Sequence, residues 1–296
     1  MITTVLKGFC MGAADIIPGV SGGTIALILG FYTRLVNAIR AFDGALLCYL
    51  YRGEIGAAMR HIDLVFLLSL VFGIAVALLF FTRIVPLPIL LHTYPEFVYG
   101  LFFGLLLASI GFLFRALEYI ELRDGPWLVL GIVAGYWIVN LTPMHTPEES
   151  WFLFISGSIA ICAMILPGIS GSFMLLILKK YAYLLDAISR FDLGVLLPFG
   201  FGALVGLLLF SRSLAWLLRN FYRRTFLVIT GVLMGSLWII WPFQARAYLD
   251  IGGKSHLVSS TPIWPREFDE TTLAVLCLIL LGMAIMITIH SFVKRT

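Results

Sequence analysis

The chain repeats one stretch of itself, and both copies interrupt an apolar segment at the same place. Residues 14–43 read ADIIPGVSGGTIALILGFYTRLVNAIRAFD and residues 163–192 read AMILPGISGSFMLLILKKYAYLLDAISRFD; at a constant offset of 149, half of the thirty positions are identical. The shared residues include Pro18/Pro167, Gly19/Gly168, Ser21/Ser170, Gly22/Gly171, Tyr32/Tyr181 and Asp43/Asp192. The offset is close to half of the 296 residues, so the sequence predicts two related halves. The interruption constrains each half further. Proline removes a backbone donor and biases its predecessor out of the helical region, so Pro-Gly ends a first arm. Ser21 or Ser170 can then cap the start of a second.

Hydrophobic residues make up 61% of the chain, charged residues 12%, and the mean hydropathy is +1.03. A soluble domain of this length cannot cover that much apolar surface, so an integral membrane protein is predicted. Charges gather between apolar runs, as helical spans require, and the alternating pattern of a β-barrel is absent. The formal net charge is only +4, with Lys and Arg mostly at span ends. They read as topology signals and phosphate contacts, not as a nucleic-acid surface. Cys10, Cys48, Cys162 and Cys277 lack metal-ligand or CxxC spacing. Lys7 ahead of apolar residues has a faint signal-peptide character. Asp15 and Pro18 interrupt that stretch and it recurs in mid-chain, so it is read as part of the fold.

The predicted fold is an all-α integral membrane protein of two inverted repeats, each a broken re-entrant hairpin followed by three transmembrane helices. The first repeat, 1–145, holds a hairpin over 2–40 (arms 2–17 and 23–40) and spans at 64–82, 97–114 and 127–141. The second, 146–296, holds a hairpin over 151–190 (arms 151–166 and 172–190) and spans at 194–211, 225–242 and 271–291. The later runs also echo each other: GIAVALLFFTR, Gly73 to Arg83, aligns with GALVGLLLFSR, Gly202 to Arg212, and Gly100/Gly104 align with Gly231/Gly235. Each arm pair either spans fully or dips in and returns on the same side. With hairpins and a cytoplasmic N-terminus, the inner connections 34–63, 115–126, 212–225 and 292–296 carry twelve Lys/Arg, against seven in 83–96, 142–150, 179–193 and 243–270. That bias favours cytoplasmic termini, with Lys179 and Lys180 as the main dissent. Three spans per half invert the second half, so the hairpins enter from opposite sides and meet near the midplane, an alternating-access layout.

Unpaired backbone groups are tolerated at membrane depth only where they are buried or line a polar cavity. Each Pro-Gly-x-Ser-Gly break is expected to free amide N–H groups. Gly19, Gly22, Gly23, Gly168 and Gly171 permit close backbone approach, and Ser21, Thr24, Ser170 and Ser172 add hydroxyls. Helix starts of this kind suit an anion such as phosphate; the plainer reading is a turn between packed helices. Pro18 and Pro167 make the breaks. Arg83 and Arg212 are repeat-related and suit phosphate, or snorkel at span ends. Asp15 lies deep in an apolar arm where its repeat partner is Met164. A carboxylate there is costly, which makes it a candidate proton or cation site, unless it pairs with Lys7 or is held by a buried hydrogen bond. Glu118, Glu121, Arg115 and Arg123 read as a solvated interfacial cluster. His61, His92, His145, His256 and His290 show no metal-ligand spacing, and no catalytic residue, metal or cofactor is predicted.

The string GAADIIPGVSGGTIALILG over residues 12–30, with its second copy around PGISGS, resembles the bacterial membrane family long catalogued as domain of unknown function 368, whose members are regarded as polyprenyl-phosphate transporters. The similarity runs over nearly the whole chain. It implies translocation of undecaprenyl phosphate across the bacterial cytoplasmic membrane, recycling the carrier lipid for peptidoglycan and other envelope polymers. The matching positions are Asp15, Pro18, Gly19, Ser21, Gly22, Gly23 and Thr24, then Pro167, Gly168, Ser170 and Gly171. The second copy departs at Met164, Ser172 and Phe173, against a strictly symmetric role for Asp15, Gly23 and Thr24. A bare phosphate is prohibitive in hydrocarbon, whereas the apolar tail needs no shelter from membrane lipid. A small-anion or solute transporter on the same scaffold is the alternative. An intramembrane lipid phosphatase would need a nucleophile with its base, or a metal cluster.

Overall fold

The computed structural model describes residues 2–15, 21–85, 90, 93–117, 121–141, 146–251, 254–265 and 269–295. In the first half the helices are α1 (Ile2–Asp15), α2 (Gly22–Ile28), α3 (Tyr32–Arg40), α4 (Gly44–Tyr51), α5 (Ile55–His61), α6 (Leu64–Arg83), α7 (Pro95–Ala116) and α8 (Gly125–Val139). In the second they are α9 (Ser150–Ile165), α10 (Gly171–Ile177), α11 (Tyr181–Arg190), α12 (Leu193–Asn220), α13 (Tyr222–Ile240) and α14 (Glu270–Arg295). Among the described residues, α6, α7, α12, α13 and α14 are long and apolar enough to cross a membrane. Large apolar side chains such as Val65, Leu68, Val71 and Phe72 of α6 face outward, as a lipid-facing surface requires. The chain is a multi-pass membrane protein.

Three expectations need correction. The arm 23–40 is not one helix: α2 and α3 meet at a bend of 119°. The arm 172–190 is likewise split into α10 and α11. Gly30 and Lys179 stand at equivalent positions of the two bends, and both take left-handed backbone, φ 72° and 51°. A residue in that conformation ends a helix. The connection 243–270, expected as part of an all-α chain, carries an antiparallel two-stranded ribbon, β1 (Gln244–Ile251) and β2 (Lys254–Pro262), with a bulge between Ala247 and Tyr248. The span expected at 194–211 also runs on to Asn220.

Helices pack through glycine seams, and the seams recur between the halves. A Cβ on Gly8 or Gly73 would fall closer than 3.0 Å to the carbonyl oxygen of Leu70 or Val5, which joins α1 to α6. The repeat partners Gly157 and Gly202 meet Phe199 and Phe154 the same way, joining α9 to α12. Small residues let membrane helices approach until dispersion contacts hold them, since apolar burial gives no drive in lipid. The remaining pairs cross between halves. Gly104 and Gly282 join α7 to α14, and Gly235 and Gly135 join α13 to α8. The second long helix of each half therefore packs on the third helix of the other. A core of Ala14, Leu106, Ile110, Leu113, Phe226, Leu227 and Leu233 lies where α7, α13 and the end of α1 meet. Buried hydroxyls in these helices bond their own turn: Ser109 donates to Leu105 O at 2.5 Å and Thr230 to Phe226 O at 2.8 Å.

Candidate functional site

The two hairpin tips interlock. Pro167 is buried, and Leu166 before it is extended (φ −70°, ψ 125°), which stops α9 as a residue preceding proline should. Gly168 takes φ +89°, and a Cβ there would press within 3.0 Å of Leu233 Cα, so α13 closes over the turn. Its N–H donates to Thr24 Oγ1 at 2.9 Å, a bond from one tip to the other. Ser21 Oγ accepts from Gly23 N–H at 3.1 Å and faces the carbonyls of Met164 and Leu166 at 3.2 and 3.3 Å. Tyr32 donates from its hydroxyl to Ile165 O at 3.1 Å. Gly23 must be glycine because a Cβ would stand 2.5 Å from Ile165 O. Ser21 thus caps α2 as expected, whereas Ser170 makes no side-chain cap and its hydroxyl pairs with Ser172 Oγ at 2.8 Å.

The expectation of free amides at both tips needs correction at the first. Gly22 N–H donates to Asp15 Oδ1 at 2.6 Å, and Gly23 N–H is taken by Ser21. The protein's own carboxylate fills the place foreseen for a ligand. Asp15 is therefore held by a backbone donor and not by Lys7, whose ammonium lies 5.5 Å from the Phe31 ring centre. In the second hairpin Met164 stands where Asp15 stands in the first. Among the described residues, Gly171 N–H has no acceptor there.

Beside the interlocked tips lies a cavity of about 290 Å³. Asp15 and Ser21 line it from the first half; Ala160, Met164, Ser170, Gly171, Ser172, Leu175, Phe199 and Ala203 are among its lining from the second. A water occupies about 30 Å³ of liquid, so the space exceeds several waters. Met164 lines it and is 45% exposed, so the cavity is not sealed. The wall combines hydroxyls and glycine backbone with an apolar floor, and Asp15 is its one charged side chain among the described residues.

Of the residues singled out from sequence, Asp15, Ser21, Ser170, Gly171 and Ser172 come together in the cavity wall. Gly22, Gly23, Thr24, Pro167 and Gly168 are buried in the joint behind it. Pro18 and Gly19 lie outside the described residues, as do His92, His145 and Glu118. Arg83 and Arg212 are exposed and do not line the cavity; Arg212 donates to Phe42 O at 3.5 Å. Sequence reading did not single out Ala160, Leu175, Phe199 or Ala203. Their signal was the repeat itself, which places Ala160 opposite Met11 and Ala203 opposite Ile74. Among the described residues no three His, Cys, Asp or Glu gather to hold a metal ion.

Away from the tips, Asp124 and Arg223 form a bidentate pair between the start of α8 and the start of α13. Arg223 holds the Asp124 carboxyl at about 2, aided by the Glu121 backbone N–H.

Comparison with known proteins bears on the whole chain. The family model described as undecaprenyl phosphate translocase-like matches residues 11–258. A polyprenyl-phosphate transporter of Vibrio cholerae serotype O1 is 37% identical over 99% of this chain and 97% of its own length. A second protein of that name, from Staphylococcus aureus, is 30% identical over 80% of this chain and 85% of its own. No solved structure matches. With a repeat broken at Pro-Gly-x-Ser-Gly, interlocked tips and a match over most of its length, the chain belongs to the undecaprenyl phosphate translocase-like family.

Proposed function

We propose that this protein carries a polyprenyl phosphate, undecaprenyl phosphate by family, from one leaflet of the bacterial cytoplasmic membrane to the other by alternating access. The observation that carries the reading is the unsealed cavity between the two hairpins. Hydroxyls of Ser21, Ser170 and Ser172 and the backbone of Gly171 line it at a break that no lipid-facing helix would tolerate. A phosphate in hydrocarbon loses its hydration, and the cavity replaces part of it with fixed donors. Leu175, Phe199 and Ala203 supply an apolar floor for the first prenyl carbons, and the rest of the tail stays in lipid through the open side.

The inverted-repeat arrangement would let the hairpins enter from opposite faces, so that one cavity serves both leaflets in turn. Arg83 and Arg212, exposed and repeat-related, would meet the phosphate at the two surfaces, before and after its passage. Asp15 faces the same small space as the phosphate, and two anions a few ångströms apart repel. The head would therefore travel with a proton or a cation. Proteoliposomes containing the purified protein test the reading: phosphate heads of a labelled polyprenyl phosphate should become accessible on the far face. Movement of inorganic phosphate with no movement of the lipid would overturn it.

A further inference from the structure

We infer that the chain has a second site, remote from the hairpin tips, for the phosphate head of an anionic phospholipid. It is a pocket of about 570 Å³ where the joint of α12 and α13 meets the start of α8. It shares no lining residue with the tip cavity, so it stands or falls apart from the transport reading. The backbone shapes this pocket. A Cβ on Gly131 would fall 2.2 Å from Val228 O, so α8 and α13 are pressed together about two turns further in. That seam holds the two helix starts side by side. The turn Leu122–Asp124 leading into α8 is a capping box, in which the side chains of Glu121 and Asp124 each accept the other's backbone N–H. Arg223 closes on Asp124 from α13. Both carboxylates in the wall are therefore engaged with the turn and its clasp.

The cations are not all engaged. Arg123, Arg223 and Arg224 line the pocket against those two carboxylates. Among the described residues no carboxylate pairs with Arg123 or Arg224. Arg224 is held by rings instead, its guanidinium carbon 5.4 Å from the centre of Trp127 and 5.7 Å from that of Phe221. Stacking orders a guanidinium and leaves its N–H edge to a ligand, and that fork matches phosphate oxygens. The surroundings favour a lipid over a soluble anion. The pocket lies at span ends, where Trp127, Phe221 and Tyr222 are exposed in the manner of an interfacial aromatic belt. Leu122 beside them is 99% exposed, a position suited to acyl chains next to a headgroup. The connections 115–126 and 212–225 meet here, and the charge bias assigns both to one face of the membrane. Basic pockets between helix ends suit anionic headgroups.

The test is isothermal titration of the purified full-length protein, in non-ionic detergent, with a short-chain phosphatidylglycerol. Phosphatidylcholine of equal chain length, farnesyl phosphate and inorganic phosphate are the further probes. Phosphatidylglycerol should bind at least tenfold more tightly than phosphatidylcholine. Arg123→Gln combined with Arg224→Gln removes two cations and leaves the Asp124–Arg223 clasp in place. It should weaken phosphatidylglycerol binding at least tenfold, the range for a lost hydrogen bond to a charged group. Thermal unfolding in lipid-free detergent checks that the variant is folded. A folded R123Q/R224Q with parental affinity overturns the inference. If the double variant does not fold, Arg123→Gln alone, at an exposed side chain, should weaken binding severalfold, and parental affinity there overturns it instead. Equal binding of phosphatidylcholine, or inorganic phosphate binding as tightly as phosphatidylglycerol, also overturns an anionic phospholipid as occupant. Farnesyl phosphate that binds more tightly than phosphatidylglycerol, and is weakened by the same substitutions, overturns it in favour of the carrier lipid.

Discussion

Asp15→Asn separates the charge of this residue from its place in the fold. The amide keeps an oxygen for Gly22 N–H, now accepting across a neutral hydrogen bond in place of the 2.6 Å charge-assisted one. A bond to a charged group contributes roughly 1.5–3 kcal/mol and a neutral one roughly 0.5–1.5, so the exchange costs about 1 kcal/mol of stability. The effect on the ligand is larger and of opposite sign. Two unit charges about 4 Å apart repel by about 1 kcal/mol in water and about 4 kcal/mol at an effective dielectric constant of about 20. With about 1.4 kcal/mol per decade of affinity, the variant should bind a prenyl phosphate about tenfold or more tightly wherever Asp15 is ionised in the parent. Lys7 sits over Phe31, and among the described residues no other charged side chain lines the cavity to offset this. The parent should therefore lose affinity as pH rises while Asp15→Asn loses less. The phosphate's own ionisation acts on both proteins, so the readout is the difference between their curves. Isothermal titration with farnesyl phosphate from acid to alkaline pH supplies both. Curves of equal height and slope would refute the repulsion and, with it, a role for Asp15 in proton or cation coupling.

Other substitutions probe the frame around the site. Thr24→Val leaves the buried Gly168 N–H without its 2.9 Å acceptor and should cost about 1–3 kcal/mol, seen as a lowered unfolding temperature. Gly202→Ala places a methyl within 3.0 Å of Phe154 backbone and forces α9 from α12, a cost of about 1–3 kcal/mol or more; unchanged thermal stability would disprove the seam. Asp124 is held at about 2 against about 3.9 for a free side chain, so its pairing with Arg223 stabilises the fold above about pH 4 and fades as pH falls toward 2. Arg223→Ala should lower stability at neutral pH, and the gap to the parent should close only in that acid window.

The breaks were legible in the sequence because proline and glycine act locally, and α9 ends beside Pro167 as expected. The repeat also aligned Gly73 with Gly202, and the two stand at equivalent places in separate seams, α1 on α6 and α9 on α12. The bends at Gly30 and Lys179 were not legible: a lysine in left-handed backbone carries no local sign, and only its equivalence to Gly30 points to it. Asp15 stood out as a costly carboxylate, yet its partner lies seven residues on, across a turn that one-dimensional spacing cannot close. Arg83 and Arg212 drew notice through charge and symmetry, but Arg83 ends α6, Arg212 stands within the extended α12, and both face the exterior. Lys180 is buried at 2% exposure, its ammonium donating to Thr146 O at 3.2 Å, which its place in a charged pair with Lys179 did not suggest.

The exchange of third helices ties the two halves of the chain to each other. Since α8 lies on α13 and α14 on α7, cutting the chain near its middle would not release two separate bodies. Those four helices form a waist that ties both halves together. On the alternating-access reading proposed above, motion that turns the cavity from one leaflet to the other would be left to the outer pairs, α1 with α6 and α9 with α12, which themselves meet where α3 packs on α12.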